Sequence, residues 1–189
     1  MARHDRRGAR GSRGLPDEAR PAVPFDPQAI VATLGRHRVA FVVIGAFAAV
    51  TQGWSEPTGD IDITPDRDVR NLGRLADALL EMEATALTAE GALDASWPID
   101  DQHLRLRETT YLTTRFGNLD VVLNPAAAEG YADLARPSES FLFVFGGTEV
   151  RVANLDRVIT SKRASDRPKD RDVLPRLEAL QRRLQGGEP

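Results

Sequence analysis

A mixed α/β (α+β) fold, with one β-sheet flanked by helices, is predicted by three features of the 189-residue sequence. Residues 39–44 form a continuous β-branched and aromatic run that stops at Gly45, which reads as a strand buried on both faces and followed at once by a helix. Asp60-Ile61-Asp62-Ile63 alternates strictly, so it reads as a strand with two carboxylates on one face and two isoleucines on the other. Val69, Leu72, Leu75, Leu79 and Met82 fall on one stripe at helical spacing, the mark of a helix lying on a sheet.

The remaining elements follow in chain order. Asp26 is an N-cap with Pro27 in the first turn, and Ile30, Val31 and Leu34 continue a helix that ends at Gly35. The small apolar residues 46–52 make a helix closed by Gly53. A polar turn at Ser55-Glu56-Pro57-Thr58 leads into the Asp60 strand, and Asp66 caps the helix that carries the leucine stripe. Residues 84–98 read as a variable stretch. Three strands are expected at 103–107, 111–116 and 119–123, with Gly117-Asn118 as the turn between the last two. A strand pair at 141–145 and 149–152, joined by Gly146-Gly147, precedes helices at 155–164 and 169–184.

The length suits one domain, expected over 25–186, with its core at 39–125 and the C-terminal strand pair and helices at 138–184. Residues 1–24 hold six Arg and three acids among Gly and Pro, and are expected to be a disordered basic arm. Residues 25–150 carry nine basic against nineteen acidic groups, and residues 151–189 carry ten against six. An acidic middle suits divalent cations and a basic end suits phosphate or nucleic acid, although surface solvation explains either. The absence of cysteine excludes disulfides, thiolate catalysis and Cys-ligated metals, and makes the cytoplasm the expected location. The longest apolar stretch has twelve residues, short of the roughly 20 that a membrane-spanning helix requires. His4, His37 and His103 lack metal-binding spacing, and neither a nucleophile elbow nor a Walker loop occurs. An EF-hand starting at Asp60 is excluded, because Pro65 and Asn71 stand where Gly and Glu are needed.

Chemistry concentrates around the Asp pair. Carboxylates two apart on a strand lie about 6 to 7 Å apart on one face, a spacing suited to bracketing two Mg²⁺ ions. Asp120, between Leu119 and Val121, offers a third carboxylate from a neighbouring strand and shares a face with Asn118 and Val122. Gly45 heads a helix, where backbone N–H groups receive phosphate and the missing side chain permits close approach. The competing readings are a solvated edge strand for Asp60 and Asp62, turn capping for Asp120, and helix–strand packing for Gly45. Trp54 would either stack a base or pack as a hydrophobic staple.

This order of strand, Gly, helix and Asp-x-Asp resembles the nucleotidyltransferase superfamily over about residues 39–125. The matching residues are Gly45-Ala46, Thr58 and Asp60-Ile61-Asp62. The resemblance implies an αβ core, two Mg²⁺ (or Mn²⁺) ions on Asp60, Asp62 and Asp120, and a nucleoside triphosphate near Gly45, Ala46 and Thr58. It also implies transfer of a nucleoside monophosphate to a hydroxyl, with pyrophosphate released. Two positions depart from the pattern. Ala46 replaces a more usual Gly or Ser, and Glu56 stands where relatives carry a basic residue.

The only two lysines, Lys162 and Lys169, lie within eight residues in a chain that otherwise uses Arg, where a compact ammonium suits phosphate. Lys162 follows Leu155, Val158 and Ile159 by seven, four and three and so faces inward; Asp170 faces inward on the next helix, and the two are expected to meet. Snorkelling of Lys162 and a helix-dipole role for Asp170 are the rivals. The run from Ser161 to Asp170 resembles the Lys…Arg-x-Lys-Asp tail of the AbiEii-like branch, which includes MenT-type toxins. That likeness implies triphosphate binding by Lys162 with Lys169 and Asp170 alongside, the tRNA 3′ end as acceptor, and an antitoxin protein as partner. The alternatives are the same chemistry on an aminoglycoside-like small molecule or a protein side chain, and a binding module in which Ala46 and Glu56 have abolished turnover.

Overall fold

The computed structural model describes Leu15 and residues 20–186. The chain opens with helix α1 (Pro27–Arg36), where Ala29 N donates to the Asp26 carboxylate at 2.9 Å, as the capping residue requires. Strand β1 (Phe41–Ile44) runs directly into the short helix α2 (Gly45–Val50), and β2 (Asp60–Pro65) follows. Next come α3 (Val69–Glu81), β3 (Thr85–Leu87), β4 (Leu93–Asp94), α4 (Asp101–Leu104), β5 (Thr109–Thr114) and β6 (Gly117–Val122). Helix α5 (Tyr131–Leu134), β7 (Ser140–Phe145), β8 (Thr148–Ala153), α6 (Leu155–Ser165) and α7 (Pro168–Leu184) complete the described chain.

The strands form one mixed sheet in the order β4-β3-β5-β6-β2-β1-β8-β7. β2 pairs antiparallel with β1 and parallel with β6, so the Asp strand is central, and β1 pairs parallel with β8. Central placement explains the burial pattern. Ile61, Ile63, Leu119 and Val121 share one hydrophobic cluster with Leu72, Leu75 and Leu79 of α3 and Ile30 and Leu34 of α1. The opposite face carries the carboxylates beside a smaller cluster of Val42, Leu134 and Ala153. Burying these strands on both sides leaves the carboxylates in a floor and not on a solvated edge.

Several boundaries differ from the sequence expectation. The strand expected at 103–107 is replaced by α4, because Asp100 caps it twice over: its carboxylate accepts from His103 N at 2.7 Å and lies 2.8 Å from His103 Nδ1. The variable stretch 84–98 contains β3 and β4, which extend the sheet beyond β5. The β5–β6 turn is Arg115-Phe116, two residues before the expected Gly117-Asn118, since Thr114 pairs with Gly117. Gly117 has φ +125°, and a side chain there would meet Phe25 at 2.7 Å. Asp68, not Asp66, is the N-cap of α3, which makes Val69 its first residue and leaves that residue exposed at 54%. Among the described residues no helix is long and apolar enough to cross a membrane.

Most of the arm expected at 1–24 lies outside the described residues, while Arg20, Pro21, Ala22 and Val23 line the cleft over the carboxylates. They are anchored just downstream, where Asp26 N donates to Phe116 O at 2.7 Å and the Phe25 ring meets Phe47 edge-on at 6.2 Å.

Candidate active site

The site begins with register. On β2 and β6, Asp60 lies beside Asn118 and Asp62 beside Asp120, so alternation on two parallel strands brings three carboxylates to one face. Each offers an oxygen within 4.8 Å of the others, a hard-oxygen set of the kind that holds Mg²⁺ or Mn²⁺. The carboxylates sit in a cleft of about 910 Å³ whose walls come from α2, the loop before β2, β5, β6, α6 and α7.

Local structure fixes each acid differently. Thr58 Oγ1 donates to Asp60 Oδ1 at 2.8 Å, so the residue expected to touch nucleotide orients the first carboxylate. Gly45 has φ +68°, and a Cβ on it would stand 2.0 Å from Asp62 Oδ2. Its lack of a side chain is therefore required by Asp62 itself, packed against the start of α2. Gly45 and Ala46 both line the cleft. Glu56 is ion-paired with Arg176 of α7, whose guanidinium lies 5.5 Å from the centre of the Trp54 ring. The departure at Glu56 thus ties the loop before β2 to the C-terminal helix, and Trp54 packs partly buried against the core.

Electrostatics reflect the crowding. Burial first, and then the charges of Asp60 and Asp120, push the Asp62 carboxyl well above the usual carboxylate range, against the pull of Arg20 and Lys162. Asp120 is pushed up to about 6 by burial and by Asp60, although the Arg20 hydrogen bonds draw it down. Arg20 is the residue that sequence reasoning missed. Its Nη1 and Nη2 donate to the two Asp120 oxygens at 2.8 and 2.6 Å, and Nη2 lies 3.6 Å from Asp60 Oδ2. The guanidinium is 5.5 Å from the Tyr111 ring centre. Burial disfavours its charge, but the Asp120 hydrogen bonds and the three carboxylates hold it protonated above the ordinary arginine range. No periodicity marks Arg20, which stands in a Gly- and Pro-rich segment.

Lys162 and Asp170 do meet, with Nζ donating at 3.1 Å. Asp170 is fully buried, and Arg167 Nε donates to its other oxygen at 2.6 Å. Against the cost of burial, Arg167 and Lys162 hold the Asp170 carboxyl below its usual range. Lys162, Arg167 and Lys169 line the cleft. Asp170 lies behind them as the anchor that aims two of these cations. Arg167 belongs to the Arg-x-Lys-Asp run, but in a chain rich in Arg nothing in its residue type sets it apart as the lysines are set apart. Asn118 Oδ1 is a further polar group in the cleft wall, buried without a hydrogen-bond partner among the described residues.

No protein-family model and no curated protein sequence matches the chain. Solved structures do. The solution structure of the antibiotic-resistance factor ANT(2'')-Ia superposes with a TM-score of 0.50 at 15% identity, covering 85% of this chain and 89% of that one. The crystal structure of a Thermotoga maritima protein, provisionally classed as a nucleotidyltransferase, covers 87% of this chain and 97% of its own with a TM-score of 0.46 at 14% identity. The chain has the nucleotidyltransferase fold.

Proposed function

We propose that this protein is a metal-dependent nucleotidyltransferase that moves a nucleoside monophosphate from a nucleoside triphosphate to a hydroxyl. The observation that carries this reading is the convergence of three carboxylate oxygens within 4.8 Å, in one cleft with the cations Lys162, Arg167 and Lys169. Asp60, Asp62 and Asp120 would hold Mg²⁺ or Mn²⁺, which supplies charge for the phosphoryl oxygens and the leaving group. Lys162, Arg167 and Lys169 bind the triphosphate, with Asp170 orienting the first two.

Asp120, a buried carboxylate of the cluster, takes the proton from the acceptor hydroxyl. The freed oxygen bonds to the α-phosphorus as the α–β bridging P–O bond breaks, and pyrophosphate carries away that electron pair. The acceptor reading is the 3′ end of tRNA, supported by the excess of basic over acidic residues in 151–189, where Lys162 and Lys169 lie. On that reading the chain is the toxin of a toxin–antitoxin pair, of the AbiEii-like and MenT-type kind.

Incubation with each α-labelled triphosphate, Mg²⁺ and either total tRNA or a panel of aminoglycosides and proteins tests both levels. Label on tRNA, lost in Asp60→Ala, is the expected result. Label on an aminoglycoside or a protein would keep the chemistry and replace the acceptor; label on none of them, without triphosphate binding, would overturn the enzyme reading.

A further inference from the structure

The cation position between the carboxylates is taken by the chain's own N-terminal segment. Arg20 reaches Asp120 through both terminal nitrogens and Asp60 through one of them, and its side chain is 5% exposed. Leu15, 2% exposed, lines the same cleft, as do Pro21, Ala22 and Val23. The segment is pinned where it leaves the site, by Phe25 against Gly117 and Phe47 and by Asp26 N on Phe116 O. Upstream of that pin, Arg20 makes its polar contacts among the described residues with Asp120 and Asp60 of the carboxylate cluster.

Arg20 matches the carboxylates in charge and serves them poorly as a permanent partner. Its Nε is buried without a hydrogen-bond partner among the described residues. An unsatisfied donor in a buried ion pair raises the cost of keeping the pair, so another cation of higher charge can take its place. Both occupants need the same carboxylates: Arg20 uses Oδ1 and Oδ2 of Asp120 and approaches Oδ2 of Asp60, and a divalent ion would draw on those two residues with Asp62.

We propose that residues 20–24 are an autoinhibitory strap, whose Arg20 side chain stands in for the divalent cation and must leave before the metal binds. The inference rests on the metal reading of Asp60, Asp62 and Asp120. Because the strap is tethered a few residues away at Phe25, its local concentration is high, and metal affinity is lowered by the fraction of molecules in which Arg20 is docked. Release frees the guanidinium close to where the triphosphate would lie, which couples metal loading to opening of the cleft.

The test measures Mn²⁺ affinity of the full chain by electron paramagnetic resonance, for the parent, Arg20→Ala and Arg20→Gln, each first checked for folding by circular dichroism. Both variants are expected to bind Mn²⁺ at least about tenfold more tightly than the parent. In the ¹⁵N-labelled parent, Mg²⁺ is expected to move the Ala22 and Val23 amide resonances towards random-coil positions. Folded variants with the parent's Mn²⁺ affinity would overturn the strap and leave the metal site standing. Metal binding that leaves Ala22 and Val23 unmoved would also overturn it, even if the variants failed to fold. If none of the three proteins binds Mn²⁺, the strap falls together with the metal reading.

Discussion

Adding one methyl group at Gly45 would force a Cβ to within 2.0 Å of Asp62 Oδ2 at a backbone angle, φ +68°, that side chains rarely adopt. Gly45→Ala is therefore expected to cost about 1–3 kcal/mol in urea unfolding and to weaken Mn²⁺ binding by displacing Asp62. Asp62→Asn acts in the opposite direction on stability. Burial and two neighbouring acids oppose the Asp62 charge, so its neutral isostere relieves repulsion in the metal-free protein. We expect calorimetry to give a melting temperature some 2–4 °C higher, the equivalent of about 1 kcal/mol in a chain of this size, while metal binding is lost.

At the scale of elements, the join between α6 and α7 depends on Asp170. It is fully buried and accepts hydrogen bonds from Lys162 on one helix and Arg167 at the start of the other. Asp170→Ala leaves two cations without their anchor, an expected cost of about 2–3 kcal/mol by chemical denaturation. It should also weaken triphosphate binding, because Lys162 and Arg167 lose their aim into the cleft. The Glu56–Arg176 pair, which ties the loop before β2 to α7, is more exposed, and Glu56→Ala is expected to change unfolding free energy by less than about 1 kcal/mol.

For the molecule as a whole, the raised carboxylates set a pH dependence. An acid raised from its unfolded value to about 6, as Asp120 is, stays protonated in the folded chain while the unfolded chain has already released its proton. The folded state therefore binds more protons between about pH 4 and pH 6, and this group's contribution to stability falls as pH rises through that window. Metal-free protein should show that decline in thermal melts, and saturating Mg²⁺ should abolish it by favouring the ionised cluster. Mn²⁺ affinity should rise over the same interval, since binding requires the ionised oxygens.

Periodicity carried much of this architecture. The Asp60-Ile61-Asp62-Ile63 alternation, the leucine stripe of α3 and the inward spacing of Lys162 and Asp170 follow from chain geometry, which local sequence specifies on its own. The α4 segment was not legible as a helix, because the Asp100 cap outweighs the intrinsic preference of 103–107, and the Arg115-Phe116 turn depends on a pairing register across β5 and β6. Parallel register between β2 and β6 brings Asp120 beside Asp62, and it joins residues far apart in the chain. Arg20 lies one hundred positions from the Asp120 it binds. By itself the sequence determined that Asp60 and Asp62 share a face and that Leu72, Leu75 and Leu79 of α3 are buried. Only the tertiary structure decided what stands among those carboxylates, because charge compensation in a buried cluster is settled by proximity in space and leaves no period along the chain.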